Sequence, residues 1–242
     1  MFSHLPTPFN ALVTGGGGLG QAFATELLTY RDVKRLWLTT RRELELDDER
    51  ARVLQLDATT AEGQQVLADE TDGHPIHLWI HTVGALHSDS IRPEKRLEAL
   101  DTDQLSALFR INAGSFGGLL GHLTPSLSQG PCIVAALSAR IGSISDNRLG
   151  GWYGYRASKA ALNMLIKTAA IEMKRRNPQA ILLSLHPGTT DTELSAPFQH
   201  NVPAEKLFTP DYAARCLLGV MSRRTPEDSG SFRDWNDMPV DW

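Results

Sequence analysis

The sequence predicts one α/β domain of Rossmann architecture: a doubly wound, mainly parallel sheet of about seven strands with helices on both faces. Three observations predict it. Short apolar, β-rich runs alternate with longer helical patterns, as βαβ units require. The first run closes on a glycine cluster that opens a helix. The chain has 242 residues, 41% hydrophobic and 21% charged, which suits a single domain spanning 1–242, with no repeat or linker to divide it.

Each element has its own signal. Phe9–Val13 is an apolar run ending at the glycines, and Leu19, Phe23, Leu27 and Tyr30 follow at helical spacing. Arg35–Thr40 and Arg52–Asp57 read as the next strands. The short acidic connection between them leaves room for a stunted helix only. Thr60–Glu70 is predicted helical and Ile76–Val83 a fourth strand. Asp101–Leu123 reads as one long helix opened by an Asp or Thr cap. Cys132–Leu137 is a fifth strand, Tyr155–Arg176 a helix stopped by Asn177-Pro178, and Ala180–Leu185 a sixth strand. Pro210–Arg223 is a late helix and Ser231–Trp235 a final strand. Between them, 195–209 carries Pro197 and Pro203 with weak periodicity. It reads equally as a lid or as a surface loop.

Composition excludes several function classes. The net charge is −4 and no Lys/Arg block stands out, so neither nucleic acid nor an anionic membrane surface is an expected partner. The N-terminus lacks a basic segment followed by a long apolar run. No apolar stretch approaches the ~20 residues of a membrane span. Cys132 and Cys216 both sit in apolar runs and read as buried thiols in a reducing compartment. The expectation is a soluble, cytoplasmic protein.

The segment Ala11–Ala22, ALVTGGGGLGQA, carries the first functional signal. Its glycines allow a sharp turn and close approach to a pyrophosphate, and the following helix offers free N–H groups and a positive dipole end. A second strand ending Thr39-Thr40-Arg41-Arg42, with no acidic residue at its tip, favours NADP over NAD. Tyr155 and Lys159 stand four apart at a helix start, on one face. A free phenol titrates near 10. A neighbouring ammonium is expected to lower that value so that Tyr155 can exchange a proton while a nicotinamide handles hydride. His77 and His81 suggest no metal site: on a strand they would stand roughly 13 Å apart. Trp37 and Trp79 read as core. His87, after the fourth strand, is placed to touch a substrate, and Trp152, just before Tyr155, to line its pocket.

At this point the chain resembles the short-chain dehydrogenase/reductase family, in its C-factor-like and sniffer-like carbonyl-reductase branch, from Ala11 to about Thr192. The most specific stretch is Gly150–Met164, GGWYGYRASKAALNM, with Tyr155 and Lys159 in the family's Y-x-x-x-K. The resemblance implies that Asn112 kinks the preceding helix and holds a relay water. It implies cofactor contacts from Gly15, Gly18, Leu19, Gly20, Val83 and Gly84. Pro187, Gly188, Thr190 and Thr192 would hold the nicotinamide side and Asp57 the adenine, while Lys159 also takes the ribose hydroxyls. Arg41 would take the extra phosphate of NADP. Partners implied are a small carbonyl or alcohol substrate and a second copy of the chain, as a homodimer or homotetramer built on the two long helices.

Three departures stand out. The glycine loop is one residue shorter than the family's. The family's N-N-A-G is His81-Thr82-Val83-Gly84 here. The family's catalytic serine position, three before a glycine, is Ala139. Ser143 is favoured to supply the missing hydroxyl because the preceding glycine can redirect the loop. Ser138 would need a local twist, since strand neighbours face opposite sides, and no serine at all is the third option. The sequence thus points to an NADP(H)-dependent oxidoreductase, with NAD as second choice. The rivals are a dinucleotide-binding signalling protein with little turnover, and an epimerase or dehydratase on the same scaffold.

Overall fold

The computed structural model describes residues 2–242. Its strands are β1 (Phe9–Thr14), β2 (Val33–Thr40), β3 (Ala51–Gln55), β4 (Leu78–His81), β5 (Cys132–Leu137), β6 (Ala180–His186), β7 (Thr189–Thr190), β8 (Leu207–Phe208) and β9 (Ser231–Asp234). Seven of them form one sheet in the order β3-β2-β1-β4-β5-β6-β9, with every neighbouring pair parallel. The strand order reverses direction between β1 and β4. In such a sheet the crevice beyond the carboxyl ends at that reversal is where a ligand fits.

Alternation along the strands explains how one sheet feeds two cores. Ala11, Val13, Leu36, Leu38, Leu78 and Ile80 face one side, where they pack with Phe23 and Leu27 of α1 (Gly18–Leu28) and Leu217, Leu218 and Met221 of α6 (Pro210–Ser222). Leu12, Trp37, Trp79, Val134 and Leu182 face the other. There they meet Leu67 of α2 (Ala61–Thr71), Phe116 and Leu119 of α4 (Ser115–Leu123), and Leu162 and Ile166 of α5 (Tyr153–Arg176). Trp37 and Trp79 are fully buried, as core residues should be. Cys132 is buried, but Cys216 is only half-buried, because α6 turns it toward the helix edge.

Local chemistry sets the helix starts. Thr60 accepts from Gly63 N, Asp101 from Gln104 N, and Thr209 from Tyr212 N, each satisfying an otherwise orphaned N–H. The long helix expected over 101–123 is divided. α3 (Thr102–Phe109) runs into a π-type turn at Arg110–Gly114 before α4 begins. That extra residue per turn rotates Asn112 out of the helical register, the kind of irregularity found where a helix serves a site. Between β2 and β3 the chain makes turns and no helix.

The segment 195–209 is more ordered than a plain loop. It contains 3-10 turns at Ala196–Asn201 and Ala204–Lys206, then β8, which pairs in parallel with β7 just past the end of β6. This small two-stranded ribbon ties the segment back over the carboxyl end of the sheet.

Candidate active site

The glycine turn is built by close approach. A Cβ on Gly20 would lie 1.7 Å from Gly15 O, so no other residue fits. Gly15 adopts φ +103°, and a side chain there would also strike Thr82 Oγ1 at 2.7 Å. Neighbouring threonines fix the turn: Gly15 N donates to Thr39 Oγ1 at 3.0 Å, and Thr82 Oγ1 donates to Gly15 O at 2.8 Å. Gly17 stands differently. It is the N-cap of α1, has extended backbone, makes no capping hydrogen bond, and has open space where a Cβ would be. Thr192 reaches the same helix start, its Cγ2 lying 3.2 Å from where a Cβ on Gly18 would be. The first turn of α1 therefore presents unsatisfied N–H groups to open space, the setting in which an anion binds.

Beside this turn lies a cavity of about 310 Å³. Of the residues singled out from the sequence, Leu19, Gly84, Ser138, Tyr155, Lys159, Pro187, Gly188, Thr190 and Thr192 line it, and so does Trp152. Its outer wall is apolar, made by Leu86, Ile141, Leu194, Phe198 and Val202. The Trp152 and Phe198 rings stand 4.8 Å apart, and the His87 ring packs on Phe198 at 5.7 Å. His87 does not itself line the cavity.

α5 delivers Tyr155 and Lys159 together. Lys159 is 4% exposed; its Nζ donates to Leu137 O at 2.9 Å and lies 5.8 Å from the Tyr155 ring centre. Burial pulls the Lys159 amine down to about 8 and pushes the Tyr155 phenol above its ordinary value. The expected depression of the phenol by the ammonium is thus corrected. Desolvation of the nearly buried phenol opposes its charged form and outweighs the neighbouring amine. The Tyr155 phenol is therefore held neutral here.

Asn112 is held by both ends. Its Oδ1 accepts from Ala85 N at 2.7 Å, and its Nδ2 donates to Ala85 O at 2.8 Å and to Ser158 Oγ at 2.9 Å. Gly84 lies where Asn112 and Lys159 meet: a Cβ there would be 3.3 Å from Asn112 Oδ1 and 3.2 Å from Lys159 Nζ. His81, in place of an Asn, bridges Thr14 Oγ1 at 2.9 Å and Ser115 Oγ at 3.2 Å. Ser115 donates to Ile111 O at 2.6 Å, inside the π turn. Burial, then the charge of Lys159, lowers His81 to about 3, so it stays neutral.

Ser143, the serine favoured from the sequence, does not line the cavity. Ser143 lines a separate depression with Asn147, Tyr153 and Arg156, and its hydroxyl accepts from Asp146 N at 3.2 Å. Gly142 ends a 3-10 turn at Arg140–Gly142 and packs closely on Lys159. Ser138 is the serine at the cavity wall, and its buried Oγ has no hydrogen-bond partner. Val83 packs partly into the core behind the cavity. Arg41 and Asp57 lie just past the carboxyl ends of β2 and β3 and do not line the cavity. Burial opposes the Asp57 charge, but hydrogen bonds from Thr59 and the nearby Arg41 and Arg110 leave it below its ordinary value. Arg42, not Arg41, is engaged: it forms a two-pronged pair with Glu193 at 2.9 Å, exposed at the groove mouth.

The sequence reading missed Thr39, Thr82, His186 and the apolar wall. Thr82 carried a readable signal, since a small hydroxyl after β4 faces the first glycine in register. Phe198 and Val202 fall in the 195–209 segment read as a lid or a loop, but nothing in the sequence singled them out within it.

Comparison with known proteins accords with this geometry. The short chain dehydrogenase family model matches residues 10–203. A 1-hydroxy-2-glutathionyl-2-methyl-3-butene dehydrogenase from Rhodococcus sp. (strain AD45) is 32% identical over 166 residues, 68% of this chain and 64% of that one. The C-signal protein of Myxococcus xanthus is 34% identical over 144 residues, 59% of this chain and 81% of that one. Among solved structures, carbonyl reductase Sniffer of D. melanogaster superposes with a TM-score of 0.83 at 19% identity, covering 97% of this chain and 100% of that one. An NADPH-bound carbonyl reductase from chicken fatty liver gives 0.84 at 19%, covering 99% and 97%. At that identity the two structures speak for the fold. With the family match spanning most of the sheet and both halves of the site, the chain belongs to the short chain dehydrogenase family of oxidoreductases.

Proposed function

We propose that the chain is an NADP(H)-dependent oxidoreductase that interconverts a carbonyl and an alcohol, with Tyr155 as general acid and base. The observation that carries this reading is a neutral, nearly buried phenol on the wall of an apolar cavity, with the Lys159 amine 5.8 Å from its ring. A phenol kept neutral is suited to donating its proton to a carbonyl oxygen as charge develops there. Lys159, titrating near 8, gains and loses a proton close to neutral pH. It is placed to return one to Tyr155, with Asn112 beside it to position a relay water. Ser138 Oγ, buried without a partner at the same wall, is the hydroxyl available to orient the substrate oxygen.

The residues present fit a dinucleotide. The uncapped start of α1, the open space at Gly17 and the unpartnered Oγ1 of Thr190 are vacant valences of the kind phosphate and carboxamide groups fill. Gly15, Gly18, Leu19 and Gly20 would hold the phosphates. Gly84, Pro187, Gly188, Thr190 and Thr192 would hold the nicotinamide end with Lys159 on its ribose, with Val83 backing it. Asp57 and Arg41 would hold the adenine end. When bound, the cofactor supplies or accepts the hydride. Arg41 makes no salt bridge among the described residues, which leaves its fork free for the extra phosphate of NADP. Two fold neighbours are described as bound to NADPH or NADP, which supports the same choice.

The apolar wall suits a small carbonyl compound with an apolar body. Exposed Phe109 on α3 and Met164, Leu165 and Ile171 on α5 support a homodimer or homotetramer formed through these helices. No helix among the described residues is long and apolar enough to cross a membrane.

A fluorescence titration with NADPH and NADH tests the cofactor assignment. Tight NADPH binding, lost selectively in Arg41→Ala, is expected; equal binding of both by wild type and variant would remove Arg41 from the site. A screen of carbonyl compounds tests the activity. The similarity to the C-signal protein favours one rival, a signalling protein with little turnover. Tight NADPH binding with no turnover of any carbonyl compound would favour that rival.

A further inference from the structure

The N-terminus of α5, which carries the proton donor, is not capped by any residue of its own. Its N-cap is Trp152, with no capping side chain, and its first turn holds no acidic residue. Trp152 also sits in the left-handed region at φ 52°, after Gly150 at 62° and Gly151 at 66°. A bulky residue rarely adopts that conformation, and it persists only where the surroundings enforce it.

The enforcement comes from Glu94, in the connection between β4 and α3. Glu94 is a carboxylate at 2% exposure. Its Oε2 accepts from Gly154 N at 3.1 Å, and its backbone carbonyl accepts from Trp152 N. Its other oxygen, Oε1, is buried without a partner. The fit is tight: a Cβ on Gly154 would lie 2.8 Å from Glu94 Oε1 and 2.7 Å from Leu108. From the other side, Arg156 donates to Gly151 O at 2.8 Å and to Gly150 O at 3.0 Å. The turn is gripped on its N–H side by Glu94 and on its carbonyl side by Arg156. The residue after Gly154 is Tyr155. Trp152, whose conformation the grip imposes, packs on the Tyr155 ring at 6.4 Å and on Phe198 at 4.8 Å.

We infer that Glu94 is a positioning residue for the reaction: it supplies from a distant loop the carboxylate that starts α5 at Tyr153 and so aims Tyr155 and Trp152 at the substrate. A polar side chain buried this deeply is seldom kept for packing alone, and this one brings an acceptor to a helix N-terminus whose free N–H groups need one. The inference rests on Tyr155 being the proton donor. Glu94 touches neither the cavity nor the glycine turn, so its effect should fall on turnover and not on cofactor affinity.

The test compares Glu94→Ala, Glu94→Asp and Glu94→Gln with wild type for kcat, KM and NADPH affinity, with melting temperature recorded for each. Glu94→Ala should lower kcat about 10- to 30-fold, that is about 1.4–2 kcal/mol of barrier, with the NADPH Kd within twofold. Glu94→Gln keeps an oxygen for Gly154 N and should recover to within about threefold of wild type. Glu94→Asp keeps the charge but withdraws it by one methylene, and should resemble Glu94→Ala in kcat. It also carries the comparison if the alanine variant does not fold. Unchanged kcat in Glu94→Ala and Glu94→Asp, a glutamine variant as impaired as alanine, or parallel loss of kcat and NADPH affinity would each overturn the assignment. Wild type without turnover on any carbonyl compound would sink the oxidoreductase reading and this one with it. Wild-type turnover with unchanged variants sinks this one alone.

Discussion

Lys159 should weaken the fold that it serves. Its amine is 4% exposed and titrates near 8 instead of the ordinary 10.5 because burial disfavours the ammonium. A shift of that size corresponds to about 3 kcal/mol at 1.36 kcal/mol per unit. The sign follows from proton binding. Below pH 8 both folded and unfolded chains carry the charge, and the folded protein bears the full penalty. Between 8 and 10.5 the unfolded chain keeps a proton that the folded one has shed, so stability rises with pH. By pH 9.5 about 2 kcal/mol of the penalty should be gone. Lys159→Met removes the charge with little change of length. It also strips Leu137 O of its donor, which costs about 1–3 kcal/mol. The variant should therefore be inactive yet at least as stable as wild type at pH 7. The sharper quantity is the change with pH. Denaturant unfolding at pH 7 and 9.5 should show wild type gaining about 2 kcal/mol relative to the variant. Because Tyr155 and the other tyrosines are common to both proteins, their onset of titration cancels. A wild-type minus variant difference that stays flat within about 0.5 kcal/mol over that interval would refute the claim that the amine is held down by burial.

Three further outcomes follow from the same geometry. Gly20→Ala must displace Gly15 O, 1.7 Å from its new Cβ, and should lose dinucleotide binding together with about 1–3 kcal/mol of stability or more; Gly17→Ala, facing open space, should keep the melting temperature and lose only affinity in a fluorescence titration. His81 is held neutral to about 3 by burial and by Lys159, so the unfolded chain binds a proton that the folded one refuses below pH 6.5, and His81→Asn should recover about 2 kcal/mol of the stability lost by pH 5, read by urea titration. Ser138→Ala should lower kcat about tenfold or more at unchanged NADPH affinity, whereas Ser143→Ala should leave steady-state kinetics within twofold; the reverse pattern would return the role to Ser143.

Most of the fold was legible because apolar alternation and helical spacing are local signals. All seven strands of the main sheet and the helices α1, α2, α5 and α6 lie within a few residues of where the pattern puts them. The failures were non-local. Nothing in Asp101–Leu123 announces that its helix is interrupted, apart from the resemblance that assigned Asn112 a kink. The cause is three-dimensional: Asn112 must reach Ala85 and Ser158, and Ser115 must reach His81. The β7–β8 ribbon is two residues wide, too short for periodicity to register, yet it ties back the segment that carries Phe198 and Val202.

The site divides along the same line. Tyr155 and Lys159 were readable because four residues of helix bring them to one face whatever surrounds them. Their protonation was not readable, because it depends on how deeply the rest of the chain buries them. An ammonium beside a phenol should make the phenol more acidic; the enclosed site makes it less so. The difference over the serine has the same origin. Counting from Gly142 locates a position along the chain, whereas facing Tyr155 is a matter of where β5 ends, and that end is fixed by Ser138 N donating to Leu185 O on β6. Glu94 is the extreme case. It lies in a connection with no periodicity, sixty residues before the helix it caps, and only the folded chain brings it to Gly154. Spacing reveals groups that act within one element, while groups that hold one element against another emerge only from the fold.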